Sequence, residues 1–294
     1  MRVSDIFYFA IIVFATISCT EELDTDFKGR SENFLVVEGG ISTDTTRHIV
    51  RLSRTIDYTD TVAPPETGAI VTISDGEQTF VLTPESPGIY ATDSNVYGEV
   101  GKEYRLDITT QDGKSYYATS TINNLTDIDS VVVKFERIPL IDLYFYIVQF
   151  NGQEPSGGGD HYRWNLYMND TLYNDTLSES VFQSDQLVDG QYVKDMDLYW
   201  LLPEHVKSDT TLFTVEMVSL SEEHFTYLVE VMSETAWRGG PFDPTPANVS
   251  TNIIGDGVVG YFLASMKKRM SVLHIKTQEE KMLADYNDYS PPGF

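Results

Sequence analysis

The chain has 294 residues, with 20 Lys plus Arg against 45 Asp plus Glu, so its formal net charge is −25. This charge disfavours nucleic acid as a partner and electrostatic docking on anionic lipid, because both require a basic surface. Hydrophobic residues make up 41% of the chain, which is typical of a globular protein, and the length corresponds to about two domains. The single cysteine excludes an internal disulfide framework and a multi-cysteine metal cluster.

The amino terminus contains an apolar run, residues 6–15, followed by Thr16, Ile17, Ser18 and Cys19. The run is shorter than the about 20 residues that span a bilayer, and it is typical of a secretory signal. A small residue before the only cysteine resembles a bacterial lipobox, although Thr16 stands where that motif has a large aliphatic residue. The alternatives are an ordinary signal peptide with an incidental cysteine, or an uncleaved anchor.

The lipobox resemblance implies cleavage before Cys19, followed by lipidation of its thiol and acylation of its amine. Two or more acyl chains give stable anchoring, so lipid alone would attach the protein to the membrane. Residues 20–26 are mostly acidic and resemble an export signal for the outer face of the outer membrane; a solvated acidic tether is the alternative reading. We therefore predict a signal peptide at 1–18 and a tether at 19–32, with the protein facing the cell exterior.

Strand patterns dominate the next segment, which predicts an N-terminal immunoglobulin-like or transthyretin-like antiparallel sandwich at 33–122. An apolar run opens it and is closed by the pair Gly39-Gly40. About seven short strands, separated by turns rich in Gly, Pro and Asp, favour this architecture. The predicted strands are 33–40, 48–53, 69–74, 78–83, 88–92, 103–109 and 115–122.

A link at 123–129 leads to a second β-rich domain, predicted at 130–276. One segment has helical period: after Ser221, apolar residues fall on a single stripe, which predicts a helix at about 222–237. The basic residues 267–269 are predicted to form a turn, and 277–294 a loosely held tail. The predicted strands are 130–136, 142–151, 161–169, 211–220, 257–266 and 270–275.

Several short motifs occur in a characteristic order along the mature chain. They are VVEG at 36–39, TGAIVTI at 67–73, PGIY at 87–90, GKEYRL at 101–106, PFDP at 241–244, STNI at 250–253 and GVVGYF at 257–262. In this order they resemble a domain-of-unknown-function family of outer-membrane lipoproteins whose genes commonly neighbour TonB-dependent receptors. The first half also resembles carboxypeptidase-regulatory-like sandwiches. The resemblance implies association with a TonB-dependent receptor and supplies no catalytic residues.

A search for catalytic motifs yields little. The sequence has no GxSxG elbow, Walker loop, Rossmann fingerprint or HExxH motif. Its five histidines do not share metal-ligand spacing. The pairs Asp127/Asp129 and Asp195/Asp197 could bind calcium or serve a glycosidase, but an acidic chain produces such pairs by chance. We therefore expect no catalytic residues, no metal and no cofactor, and a protein that is not an enzyme.

Aromatic residues suggest a contact surface, since Tyr and Trp combine an apolar body with a polar tip. Among them, Tyr199 and Trp200 are candidate ligand or partner contacts, together with the loop 157–159. Core packing and strand propensity explain most of the other aromatics.

Asp-Ser/Thr triplets resemble a bacterial O-glycosylation motif and occur six times, against about two expected from the composition. Turn-rich β-proteins also favour Asp-Thr, which is the competing explanation. The candidate hydroxyls are Thr45, Thr61, Ser130, Thr171, Thr176 and Thr210.

Together these features predict a surface-exposed lipoprotein that serves a TonB-dependent nutrient receptor as a non-enzymatic accessory or ligand-capture subunit. A self-standing adhesin or carbohydrate-binding module is the alternative. A surface hydrolase is the third hypothesis, and only scattered carboxylates support it.

Overall fold

The computed structural model describes residues 33–56, 61–235 and 249–284. These residues form sixteen strands, two helices and three single turns of 3₁₀-helix. Cys19, the signal and the tether, the helix residues 236–237, the PFDP motif and the tail residues 285–294 lie outside the described residues. The predicted class is confirmed: the chain is mainly β, with one principal helix.

The elements in chain order show how closely local pattern matches structure. The helices are α1 Glu222–Thr235 and α2 Gln278–Ala284. The strands are β1 Leu35–Ser42, β2 Ile49–Arg54, β3 Ile70–Ser74, β4 Thr79–Ser86, β5 Ile89–Ala91, β6 Glu103–Thr109, β7 Ser115–Thr121, β8 Ser130–Ile138, β9 Leu143–Gln153, β10 His161–Met168, β11 Thr171–Leu172, β12 Val181–Ser184, β13 Tyr192–Leu201, β14 Thr210–Leu220, β15 Val258–Ser265 and β16 Lys267–Ile275.

The first region is an eight-stranded sheet in the order β15-β1-β2-β5-β4-β3-β6-β7. The sheet curls until its two end strands meet. At this closure, Ser120 Oγ of β7 accepts a hydrogen bond from Ala264 N of β15 at 2.9 Å. Asn252 strengthens this closure, since its side-chain amide donates to the carbonyls of Thr119 and Phe262 at 3.2 and 2.8 Å. The sheet therefore has a nearly closed, barrel-like form around the first apolar core.

The alternation of apolar and polar residues explains that first core. In β6, Tyr104, Leu106 and Ile108 are buried, while Glu103 and Arg105 are exposed, as a period of two requires. Inward residues of the other strands of the sheet complete the cluster, which includes Leu35, Val37, Val50, Leu52, Val71, Ile73, Tyr90, Tyr116, Ala118 and Phe262.

Strand β15 corrects the predicted division of the chain. The sequence division placed 257–266 in the second domain, but β15 pairs with β1 in parallel, from Leu35↔Val258 to Ser42↔Ser265, and belongs to the first sheet. Parallel pairing requires a long crossover, and no local pattern announces its partner. Met266 follows β15 and packs against both cores, so the chain passes directly from one region to the other.

Two glycine positions permit this pairing. A Cβ at Gly40 would overlap the carbonyl oxygen of Leu263, and one at Gly260, where φ is +103°, would overlap that of Val37. The glycine pair was predicted to close the first strand; instead β1 runs through it to Ser42. The backbone of β15 approaches too closely here for any side chain.

The second region is a sandwich of two smaller sheets. One has the order β13-β9-β8, and the other has β11-β10-β14-β16, with β12 also paired to β10. The second core fills the space between them; for example, the rings of Phe150 and Trp164 lie 4.7 Å apart between centroids. The sequence did not predict β11, β12 or β13.

The basic segment 267–269 was predicted to form a turn but opens β16. Lys268 donates to the Leu125 carbonyl at 2.9 Å and pairs with Asp127 at 2.6 Å, both in the predicted link. Leu125 and Ile128 of this link are buried in the second core. The link is therefore an integral part of the packing.

The remaining differences concern the helices. The predicted helix corresponds to α1, whose first turn is capped by Ser221 Oγ accepting from His224 N at 3.1 Å. Part of the predicted loose tail forms α2, where Thr277 and Glu280 make reciprocal capping bonds of 2.7 and 3.1 Å. No helix among the described residues is long and apolar enough to span a bilayer.

Candidate functional site

A cavity of about 560 Å³ lies where helix α1 meets both regions of the fold. Strands β1 and β15 line it from the first sheet, and β10 and β14 from the second region. His224, Tyr227, Leu228 and Val231 line it from α1. We call this cavity the cationic cleft, for its basic residues Arg47, Arg163 and Lys267.

The alternation along β10 decides which side chains enter the cleft. Tyr162, Trp164 and Leu166 point into the second core, so Arg163 and Asn165 point to the opposite face of the sheet. That face would be solvent-exposed in an isolated sandwich. Here it is covered by α1 and the first sheet, which leaves Arg163 half-buried.

Arg163 is held without a direct partner. Its Nε is buried and has no hydrogen-bond partner among the described residues, and no ion pair to its guanidinium is found there. Burial lowers its pKa, while the charges of Tyr199 and Glu216 act in the opposite direction. The guanidinium therefore retains unused hydrogen-bonding capacity facing the cavity.

Glu216, the nearby carboxylate, is already engaged. It is 1% exposed and accepts from Asn165 Nδ2 at 2.7 Å and from the Tyr167 hydroxyl at 3.4 Å. Its other oxygen forms an ion pair with Arg269, which also binds Asp44 at 2.7 Å. The negative charge of Glu216 therefore acts on the positive charge of Arg163 only at a distance, without a hydrogen bond between them.

His224 supplies a second unused group. Its side chain is 8% exposed, and its ring stacks on that of Tyr261 with centroids 4.3 Å apart. Its Nδ1 is buried and has no hydrogen-bond partner among the described residues. Burial, with a smaller contribution from the charge of Arg163, lowers the pKa of His224 to about 3, so its imidazole is neutral at pH 7.

A second polar cluster lies beneath the loop 157–159. Carboxylate oxygens of Glu154, Asp160 and Asp185 lie within 4.8 Å of one another, and oxygen ligands of this kind could hold calcium. The Asp185 carboxylate accepts from Gly159 N at 2.9 Å, and Glu154 accepts from the Tyr162 hydroxyl at 2.5 Å. Burial raises the pKa of Glu154 and of Asp160. These hydrogen bonds give the cluster a structural role, which is to hold the loop 157–159 in place.

The structure separates the two predicted aromatic contacts. Tyr199 is 5% exposed, and its hydroxyl donates to the Trp164 carbonyl at 2.7 Å, so it is a core residue and not a surface contact. Trp200 is 47% exposed, lies 5.7 Å from Phe145 between ring centroids and donates to Asp197 at 3.0 Å. Successive residues of a strand face opposite ways, which explains the difference.

The candidate glycosylation residues are mostly accessible. Ser130 is half-buried at the start of β8, and the other five, Thr45, Thr61, Thr171, Thr176 and Thr210, are exposed. Exposure is necessary for modification but does not establish it, so glycosylation stays a prediction.

The sequence did not single out the cleft residues. His224 was noted only as one of five histidines, and Arg163 only as part of a strand. The signal that was available was an arginine between buried aromatics on alternate positions of β10. That pattern indicates a cation turned toward a covered face only when the covering elements are known.

Comparison with known proteins identifies the family. The model of the family described as domain of unknown function (DUF4249) matches residues 20–271, and the chain belongs to this family. The search of curated proteins found no match. Among solved structures, murine CEACAM1b is similar at 10% sequence identity and a TM-score of 0.20, covering 62% of this chain and 91% of that one.

Proposed function

We propose that this protein captures a ligand in the cationic cleft and presents it, as a non-enzymatic accessory subunit, to a TonB-dependent uptake receptor. The observation that carries the proposal is Arg163, a half-buried residue that lines the cavity and whose guanidinium makes no hydrogen bond or ion pair among the described residues. Buried polar groups are normally hydrogen-bonded, and leaving one unpaired costs about 1–3 kcal/mol. A ligand that accepts hydrogen bonds from this guanidinium would recover part of that cost.

The proposed location is the outer face of the outer membrane, through lipid on Cys19. It is supported by the apolar run before the only cysteine and by the acidic residues after it. An anchor of this kind confines the protein to the membrane plane and raises its effective concentration near a receptor. A tether at 19–32 would let the cleft reach the mouth of that receptor.

The anchor is tested by changing Cys19→Ala and fractionating the cells. The variant should leave the membrane fraction, whereas the neighbouring change Thr20→Ala should not. Unchanged membrane retention of the Cys19 variant would refute the lipobox. Protease treatment of intact cells tests the outward orientation separately, since an outward-facing protein is digested without lysis.

The receptor partnership is tested by affinity purification from gently solubilised outer membrane. We expect a TonB-dependent receptor at near-stoichiometric yield with the wild-type protein. Its absence would refute the partnership, whether or not the cleft binds a ligand.

A second function, carbohydrate binding without a receptor, is favoured by the exposed ring of Trp200 beside Phe145. Stacking of a sugar on such a ring is a common contact. Retention of a glycan on an array by the wild-type protein, and its loss with Trp200→Ala, would support this alternative. Tyr97→Ala, at another exposed aromatic ring, is the matched control.

A further inference from the structure

The charge of the cleft is opposite to that of the whole chain. Arg47, Arg163 and Lys267 line it, and Glu38 is its only carboxylate among the described residues, in a chain of net charge −25. Arg47 is ion-paired with Glu85. No ion pair involves Arg163 or Lys267 among the described residues, so the lining holds two cations without an ion-pair partner against one carboxylate. A cavity of low polarity strengthens the attraction of such charges for an anion.

The geometry at Arg163 indicates an acidic headgroup. Guanidinium groups bind carboxylates and phosphates through paired N–H donors, and the two Nη groups of Arg163 make no hydrogen bond among the described residues. The carboxylate of Glu216 is occupied by Asn165 and Arg269, so it does not fill this role. The neutral imidazole of His224, which lines the same cavity, carries one N–H donor for a second oxygen of the headgroup.

Apolar side chains form one wall of the cleft. Ile41, Val218, Leu220 and Leu228 are buried side chains that line it, and Leu177, Val231 and Leu263 line it as half-buried ones. A volume of about 560 Å³ lies within the roughly 300–1,000 Å³ of small-molecule sites. This apolar wall suits the hydrocarbon body of a ligand, because burying apolar surface there is favourable.

We infer that the cationic cleft binds an amphipathic anion, with an acidic headgroup at Arg163 and His224 and an apolar body against α1 and β14. This inference rests on the proposed ligand capture and names the class of ligand. The headgroup chemistry is shared by carboxylates and phosphate monoesters.

The test measures binding of four probes with the same chain length: octanoate, octyl phosphate, octan-1-ol and octylamine. Titration calorimetry is performed on the full chain, which contains both cores and the whole cleft. Octanoate or octyl phosphate should bind at least about tenfold more tightly than the neutral alcohol, and octylamine most weakly, because a charge-assisted bond is worth about 1.5–3 kcal/mol. The tighter of the two anions identifies the headgroup.

Variants locate the site. Arg163→Met should weaken anion binding about tenfold or more, and Arg163→Lys should restore part of it. His224→Phe keeps the ring on Tyr261 but removes the nitrogens, and should weaken binding about threefold to tenfold. Arg105→Met removes an exposed arginine of the first sheet and serves as the matched control, with unchanged affinity. If Arg163→Met fails to unfold cooperatively, Lys267→Gln provides the second measurement, with an expected loss of about twofold to fivefold.

The outcomes separate this inference from the proposed function. Equal binding of octanoate and octan-1-ol, or anion affinities that are the same in all cleft variants, would overturn the inference, as would no binding of either anion. A receptor that co-purifies while neither anion binds would leave the partnership standing and refute the ligand class. Anion binding with no co-purified receptor would support the ligand class and refute the receptor partnership.

Discussion

The first sheet and the second sandwich differ in what they bury. The first core is built from aliphatic and aromatic side chains, and the buried polar groups of that region are His48 and small hydroxyls such as Thr92, Thr110 and Ser120. The acidic residues that are buried as a whole, Glu154, Asp185 and Glu216, all belong to the second region, whereas the buried carboxylate of Asp75 in the first sheet is paired with Lys102 at 3.0 Å. Buried charge is costly unless it is paired. The second region therefore contains more costly buried polar groups, and it supplies Arg163 and Lys267 to the cleft between the two regions.

The largest expected effect tests the apolar region. Leu106 is 0% exposed in the first core, so Leu106→Ala should lower the free energy of unfolding by about 2–5 kcal/mol through lost burial and a cavity. Leu273→Ala on β16, where the side chain is 57% exposed, is the matched control and should change it by less than about 0.5 kcal/mol. Urea denaturation measures both. Similar losses for the two variants would contradict the assigned core.

The next effect tests the polar region. Glu216→Ala removes the acceptor shared by Asn165, Tyr167 and Arg269, and should cost about 2–4 kcal/mol because those donors are left unpaired. The loss of unfolding free energy should be moderate because water can solvate the Arg269 side chain, which is 43% exposed. Glu136→Ala, at an exposed position of β8, is the control. Denaturant midpoints that coincide for the two variants would show that the buried network adds no stability.

A smaller effect appears as pH dependence. The pKa of His224 is lowered to about 3 from 6.5, so between these values the unfolded chain binds a proton that the folded chain does not. Stability should therefore fall as pH decreases from 6.5 toward 3, by about 1 kcal/mol over the first pH unit of that window.

His224→Phe should remove this contribution, so its unfolding free energy should fall less steeply with acid than that of the wild type. His205→Phe, which replaces a 41% exposed histidine side chain, is the matched control. Thermal unfolding followed at pH 7, 6 and 5 gives the slopes. Identical slopes for wild type and His224→Phe would show that His224 is not held neutral.

The smallest effect concerns the surface of the first sheet. Arg105 and Asp107 form a pair at 2.8 Å with side chains 46% and 45% exposed, and Arg105 also lies 4.1 Å above the Tyr117 ring. Solvent screens such contacts, so Arg105→Gln should cost less than about 1 kcal/mol. Ser115→Ala at the exposed start of β7 is a baseline. A loss as large as that of Leu106→Ala would mean that polar surface contacts hold this sheet together.

Strand alternation and turn residues made much of the fold predictable. The strands β3 and β6 and the stripe of α1 correspond to their local patterns, because each pattern is fixed by neighbours within a few residues. Strand β13 was missed because its register against β9 shifts twice, which interrupts the period of two. The cleft could not be predicted, because its walls come from segments near 40, 163, 220 and 263.

The sequence by itself determined the mainly β class, the principal helix, the acidic charge and the prediction of a lipid anchor at Cys19. Only the tertiary structure decided that β15 closes the first sheet, that Tyr199 is buried and Trp200 exposed, and that Arg163 faces a covered cavity beside His224. The physical reason is the distance along the chain over which each interaction acts. Periodicity and turn chemistry act between near neighbours, whereas a parallel pairing of Leu35 with Val258, and the burial it causes, depends on packing across the whole molecule.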